Sequence, residues 1–209
     1  MPKGVTKRRP RTRAALLGAA LEVFAEQGFH AATIEQICER ANYSRGAFYS
    51  NFRTKEELFF ALFDEHIDRS AERMAAIVEQ VTADGEPSVD ALAQALSRSR
   101  LEPSERAWYL VTTEFTLHAI RTPEAARKLA EHDARARTLL ARHIEDLVRR
   151  LGRELTVDAE DFARLLVAIR EGGLAQSYVE PDRLPPGELD RRFTAPLLAA
   201  VTRDASNAR

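Results

Sequence analysis

The stretch Ala41–Phe59, ANYSRGAFYSNFRTKEELF, decides how this chain is read. Good helix formers run up to it, and a long helical pattern starts at Thr54 directly after it. Between them stands a segment too short to hold itself, since isolated helices under about 12–15 residues are marginal in water. Its neighbours must support it, which leaves its own side chains free to serve something outside the chain. Asn42-Tyr43 makes a turn, and Ser44 is a natural N-cap for a helix that ends near Phe52.

Toward the N-terminus, Thr33-Ile34-Glu35-Gln36 is a capping-box pattern in which Thr33 caps and Gln36 reaches back. It opens a short helix with Ile34, Ile37, Cys38 and Ala41 on the inner face. A helix from Thr12 to Gln27 precedes it, with Leu17, Ala20, Leu21 and Phe24 on one side and Gly28 as its C-terminal stop. Two short helices joined by a tight turn, with an earlier helix packed across them, follow the helix-turn-helix plan. In that plan the second helix enters the DNA major groove, with its N-terminal residues toward base edges.

The residue types fit that role. Ser44 caps the helix and can bond phosphate, and Arg45 is long enough to reach a base or the backbone. Gly46 and Ala47 permit close approach to the groove floor, where Ala47 can touch a thymine methyl. Phe48 is the aromatic assigned to the core, while Tyr49 keeps a hydroxyl for a phosphate. Lys55 and Thr33 stand at helix starts, where exposed N–H groups favour an anion. The arm residues Arg8, Arg9, Arg11 and Arg13 are expected along the backbone or in the adjacent minor groove.

Beyond this head, Thr54-Lys55-Glu56-Glu57 reads as a second capping box starting a long helix to about Val81. TADGEPS, Thr82 to Ser88, breaks the pattern. Five further helices are expected: Val89–Ser99, Glu105–Arg121, Pro123–Leu151, Ala159–Glu180 and Glu188–Arg203, with Ser104 and Asp158 as caps and Pro196 as a kink or break. Strand alternation is nearly absent. The expected fold is all-α: a three-helix DNA-binding head with its basic arm (1–54), then a long connecting helix and a larger helical ligand-binding and dimerisation body (55–209).

Charge supports a polyanion partner at one end. Residues 1–60 hold 10 Lys+Arg against 6 Asp+Glu, and the other 149 residues hold 21 against 26, within a chain whose net charge is −1. A solubilising tail is the competing reading of the basic N-terminus. No apolar run approaches the ~20 residues that span a bilayer, and MPKGVTKRRPRTR has no apolar region behind it, so no membrane partner and a cytoplasmic location are expected. The single cysteine, Cys38, is read as a small buried hydrophobe in a reducing compartment.

The body shows no catalytic constellation, so enzyme activity is not expected. Its nearest approach to a metal motif, Glu114 and His118, lacks a second pair, and neither metal nor cofactor is expected. Trp108, Val111, Phe115 and His118 share one helical stripe, read either as plain core or as the lining of a small-molecule pocket. Gly173 lies within a helix that also carries Phe162, Leu166 and Ile169. Together with Phe193 and Leu197 on the last helix, these residues are the expected homodimer interface, with packing inside one chain as the alternative.

The head resembles the TetR family of bacterial transcriptional repressors over roughly residues 12 to 67. The resemblance rests on FAEQGF, then TIEQI, then SRGAFYSNF, then KEEL, in that order and spacing. Cys38 replaces a usual small residue, and Ser50 stands where histidine is frequent. The resemblance implies an all-α ligand-binding body whose last two helices make a homodimer. The expected function is therefore a homodimeric repressor on a palindromic operator, released by a small-molecule inducer. The rivals are a small-molecule enzyme with an all-α body, an architectural or cell-cycle DNA-binding protein without an inducer, and an activator on the same plan.

Overall fold

The computed structural model describes residues 8–83 and 103–205, and the expected helix Val89–Ser99 lies outside the described residues. In chain order the elements are α1 (Arg8–Gln27), α2 (Ile34–Ala41), α3 (Arg45–Tyr49), α4 (Lys55–Ala83), α5 (Pro103–Arg121), α6 (Pro123–Arg150), β1 (Arg153–Leu155), α7 (Ala159–Val179), α8 (Glu188–Ala200) and β2 (Thr202–Asp204). The all-α class expected from periodicity is the class observed, apart from the β1–β2 pair.

Several boundaries move, and α3 stops at Tyr49 rather than near Phe52. The first helix begins earlier than Thr12: α1 already includes Arg8, Arg9, Arg11 and Arg13. Pro10 permits this because it stands in the first turn, where its missing N–H has no intrahelical partner to lose. By the same logic α5 starts on Pro103 rather than on Glu105. The last helix stops at Ala200, not Arg203, because Thr202–Asp204 turns into a strand antiparallel to Arg153–Leu155. Arg153 anchors that pair through Asp204 (2.8 Å) and Thr202 Oγ1 (2.8 Å).

The described residues divide into two compact units: one runs to His66 and adds Arg106–His132, and the other comprises Ile67–Glu105 and Asp133 onward. The first unit is built on aromatics. Phe115 of α5 stacks on Phe59 of α4 with centroids 3.7 Å apart and meets Phe29 edge-on at 4.9 Å. Leu16, Leu17, Phe24, Ile37 and Phe48 complete this interior. In the second unit Ala141, Ile144, Val148, Phe162, Ala163 and Leu198 form the core. Within the same unit Glu105, only 3% exposed, is neutralised by Arg73 (3.4 Å) and Arg170 (2.7 Å); a buried carboxylate needs such partners.

Candidate DNA interface and ligand cavity

The local geometry of the head follows from its caps. Thr33 Oγ1 accepts from the Gln36 N–H at 3.2 Å, and the Gln36 side chain accepts from the Thr33 N–H at 2.8 Å. Asn42 ends α2 in the left-handed region (φ 56°), a conformation asparagine tolerates better than most residues. That sharp turn delivers Ser44, whose Oγ accepts from the Ala47 N–H at 3.2 Å and starts α3. The box at Thr54 differs from the expectation. Thr54 Oγ1 accepts from the Glu57 N–H, but the Glu57 carboxylate takes the Arg53 N–H (2.7 Å) rather than that of Thr54.

Burial then divides the residues in and around α3. Phe48 and Phe52 are buried, while Ser44, Arg45, Gly46 and Tyr49 are exposed and Ala47 is half-buried. Tyr49 is 50% exposed, its ring edge-on to Phe48 at 5.4 Å. Arg45 pairs with Glu35 at 2.8 Å, and the neighbouring Tyr49 hydroxyl and the Glu35 carboxylate raise its pKa above the ordinary guanidinium value. Arg9 donates to the Ser50 carbonyl (3.3 Å) and Arg13 lies 5.6 Å from the Phe52 ring centroid, so these two α1 arginines lie beside the end of α3. Arg11 is exposed on the same helix. The Cys38 thiol lies inside, where burial pushes its pKa up.

Two expected anion contacts carry internal duties. The Thr33 hydroxyl is engaged by its own capping box. Lys55 donates to the carbonyls of His30 (3.1 Å) and Ala32 (2.8 Å) and sits 4.8 Å from the Phe29 ring centroid. Partial burial lowers its pKa. The ammonium thus keeps one of its three protons for a phosphate. Sequence reasoning missed this tie because it joins residues far apart in the chain.

Trp108, Val111, Phe115 and His118 share one face, as the spacing requires, and among the described residues that face packs against aromatic and histidine side chains of its own unit. Trp108 stacks on His66 at 3.9 Å, Val111 and Phe115 are fully buried, and His118 meets His30 at 4.8 Å. The Glu114 carboxylate accepts the Phe29 N–H at 2.7 Å. The described cavity, about 60 Å³, lies in the second unit between α4, α6, α7 and α8. Its wall is apolar and includes Met74, Leu140, Phe162 and Leu166, with His143 and Thr194 as its polar side chains.

The expected dimer residues also divide. Phe162 is buried in its own core, Leu166 lines the cavity, and Gly173 is buried under α8, where an added Cβ would stand 3.2 Å from Leu189. The close helix approach that Gly173 permits is thus made within one chain. Ile169 and Leu197 are half-buried, leaving Phe193 exposed at 48%. Leu165, which the sequence reading also placed with this apolar set, is 44% exposed, and Val179, which it missed, is 81% exposed.

Residues 16–62 match the model of bacterial regulatory proteins of the tetR family, and residues 94–201 match that of the BetI-type transcriptional repressor C-terminal domain. The chain belongs to the TetR family. It is 27% identical over 170 residues to the HTH-type transcriptional regulator UidR of Escherichia coli K12, covering 81% of this chain and 83% of UidR. Over 60 residues, 29% of this chain and 27% of the relative, it is 42% identical to the HTH-type transcriptional activator FasR of Mycolicibacterium smegmatis. Among solved structures, Salmonella enterica GusR superposes with a TM-score of 0.71 at 26% identity, covering 94% and 97% of the two chains. Bacillus subtilis FadR, solved with stearoyl-CoA, shares the fold with a TM-score of 0.65 at 20% identity, over 88% and 96%. As a TetR-family member the chain is a transcriptional regulator with a helix-turn-helix DNA-binding head; its family and these relatives are regulators, not enzymes. No described helix is long and apolar enough to cross a membrane.

Proposed function

We propose that this TetR-family regulator is a repressor that binds a palindromic operator as a homodimer and lets go when a small molecule occupies its body. The observation that carries the reading is the division of labour on α3: Phe48 is fully buried while Ser44, Arg45, Gly46 and Tyr49 stand exposed on a capped, two-sided support. Ser44, Arg45, Gly46, Ala47 and Tyr49 are the residues assigned to the groove, and Arg11, Arg13, Thr33 and the remaining Lys55 proton to flanking phosphates. Residues 1–54 are the DNA-binding part and 55–209 the ligand-binding and dimerisation part.

The repressor sign rests on the C-terminal match to a repressor model, because the head alone also resembles an activator. Two heads in one dimer read two half-sites whose spacing follows the dimer geometry. Leu165, Ala168, Gly172 and Val179 form an exposed, small-to-apolar face of α7, and Phe193 and Pro196 continue the pattern on α8. Such faces support a four-helix dimer interface.

The inducer site is assigned to the apolar cavity rather than to the Trp108–His118 stripe. At about 60 Å³ it is far below the ~300 Å³ at which ligand pockets begin, so an inducer must part the surrounding helices. That parting is the differential binding a switch requires, since equal affinity for both arrangements shifts nothing. The alkyl-chain ligand of FadR makes an apolar inducer a reasonable first class to screen.

The test is selection of genomic fragments by the purified full chain at ~150 mM salt, where phosphate-only binding is suppressed. Recovery of one short palindrome, with release by a screened compound, supports the repressor. Broad, salt-sensitive recovery without a shared motif would sink it in favour of an architectural role.

A further inference from the structure

Arg45 is the only cation within α3, and it is not free. Its Nη1 lies 2.8 Å from Glu35 Oε1. Glu35 stands in the first turn of α2, and Arg45 and Tyr49 are the two ends of α3. All three side chains are exposed, so the carboxylate belongs to the surface that α3 offers to DNA. An acid there opposes phosphate, and its presence needs a reason.

The magnitudes suggest one. An exposed ion pair is worth only about 0–1 kcal/mol, so a better partner can compete for Arg45. Paired, Glu35 and Arg45 carry no net charge and release no counterion on meeting a phosphate. Alone, Arg45 would add one phosphate contact at any position on any duplex. A guanine edge is different, because O6 and N7 accept two parallel N–H groups from the guanidinium fork. With five donors, Arg45 can keep Glu35 on Nη1 while other N–H groups meet the base.

We propose that Glu35 is a specificity-determining residue: by pairing with Arg45 it withholds that cation from random phosphate and leaves its reach for a guanine edge in the operator. This rests on the DNA-reading role assigned above to α3. The pair lowers affinity everywhere except where a base rewards Arg45, which widens the gap between operator and bulk DNA.

The experiment uses the full chain, the operator recovered by genomic selection, and a scrambled duplex of equal length, titrated from about 50 to 200 mM salt. Glu35→Gln is expected to bind the scrambled duplex roughly fivefold tighter at 150 mM salt, with a log–log salt slope steeper by about 1, the signature of one extra phosphate contact. Operator affinity is expected to change less, so the operator-to-scrambled ratio falls. Glu39→Gln, an exposed acid on the same helix, controls for general charge and is expected to leave the ratio unchanged. Thermal melting of both variants reports folding.

An equal shift on both duplexes for Glu35→Gln would overturn the proposal, leaving the pair a surface bridge. Loss of operator affinity with a changed selected sequence would also overturn it, because Glu35 would then read a base directly. If the unmodified protein selects no shared motif, the operator reading itself fails, and this inference fails with it.

Discussion

Arg45 and Gly28 show how much rests on single positions. Arg45→Ala is expected to weaken operator binding by about 1–3 kcal/mol if its contact is to a base, with little change on scrambled DNA. Competitive titration of the two duplexes reads the difference, and equal loss on both would assign Arg45 to phosphate. Gly28 holds φ +83°, and an added Cβ would stand 2.7 Å from a Glu114 carboxylate oxygen. Gly28→Ala therefore combines a left-handed penalty of about 1–2 kcal/mol with the displacement of an acceptor that serves the Phe29 N–H. A melting temperature unchanged by Gly28→Ala would refute this account.

At the scale of elements, caps set where the short helices begin. Thr33→Ala removes an N-cap and is expected to cost about 0.5–2 kcal/mol, read from the denaturation midpoint at constant m-value. The N-terminus of α8 is held differently: Gly187 offers no capping side chain, and Glu188 pairs with Arg191 and Arg192, each at 2.6 Å. The Arg191 hydrogen bond, with help from Arg192, holds the Glu188 pKa down at about 2, against an ordinary 4.5. Because the folded pKa is depressed, this contribution is present above the unfolded value and is lost as pH falls toward 2. The stability gap between the unmodified chain and Glu188→Gln should shrink over that window in acid titrations, and a gap constant with pH would contradict the pairing. The caps of α2 and α3 were legible from sequence because capping is local chemistry. The β1–β2 pair was not, because three-residue strands are too short to display a period of two.

At the scale of the molecule, the DNA-binding head has its aromatic core completed by α5, which comes some fifty residues of chain later than the start of α4. Phe115→Ala removes a ring that touches Phe29, Phe59 and Phe60, and a loss of about 3–5 kcal/mol is expected in chemical denaturation. Such a loss should lower operator binding even though Phe115 reaches no DNA. The dimer face is tested by Leu165→Glu with Phe193→Glu. Sedimentation should show monomers, with operator affinity reduced because two half-sites no longer share one binder. A dimer that survives both changes would place the interface elsewhere.

The sequence by itself determined the class, the order of the described helices, the capped helix-turn-helix and the split between a buried Phe48 and an exposed Arg45. All of these follow from spacing and side-chain chemistry within a few residues. Tertiary structure alone decided which apolar stripe faces what. On α5 the Trp108–His118 stripe could line a pocket or a core, and only the tertiary structure brings Phe29, Phe59 and His66 against it. On α7 apolar residues occur on several faces, so periodicity could not say that Phe162 and Leu166 turn inward while Leu165 stays exposed. A helical period states that a face is apolar; the partner that covers it comes from a distant part of the chain, and no local pattern encodes that choice.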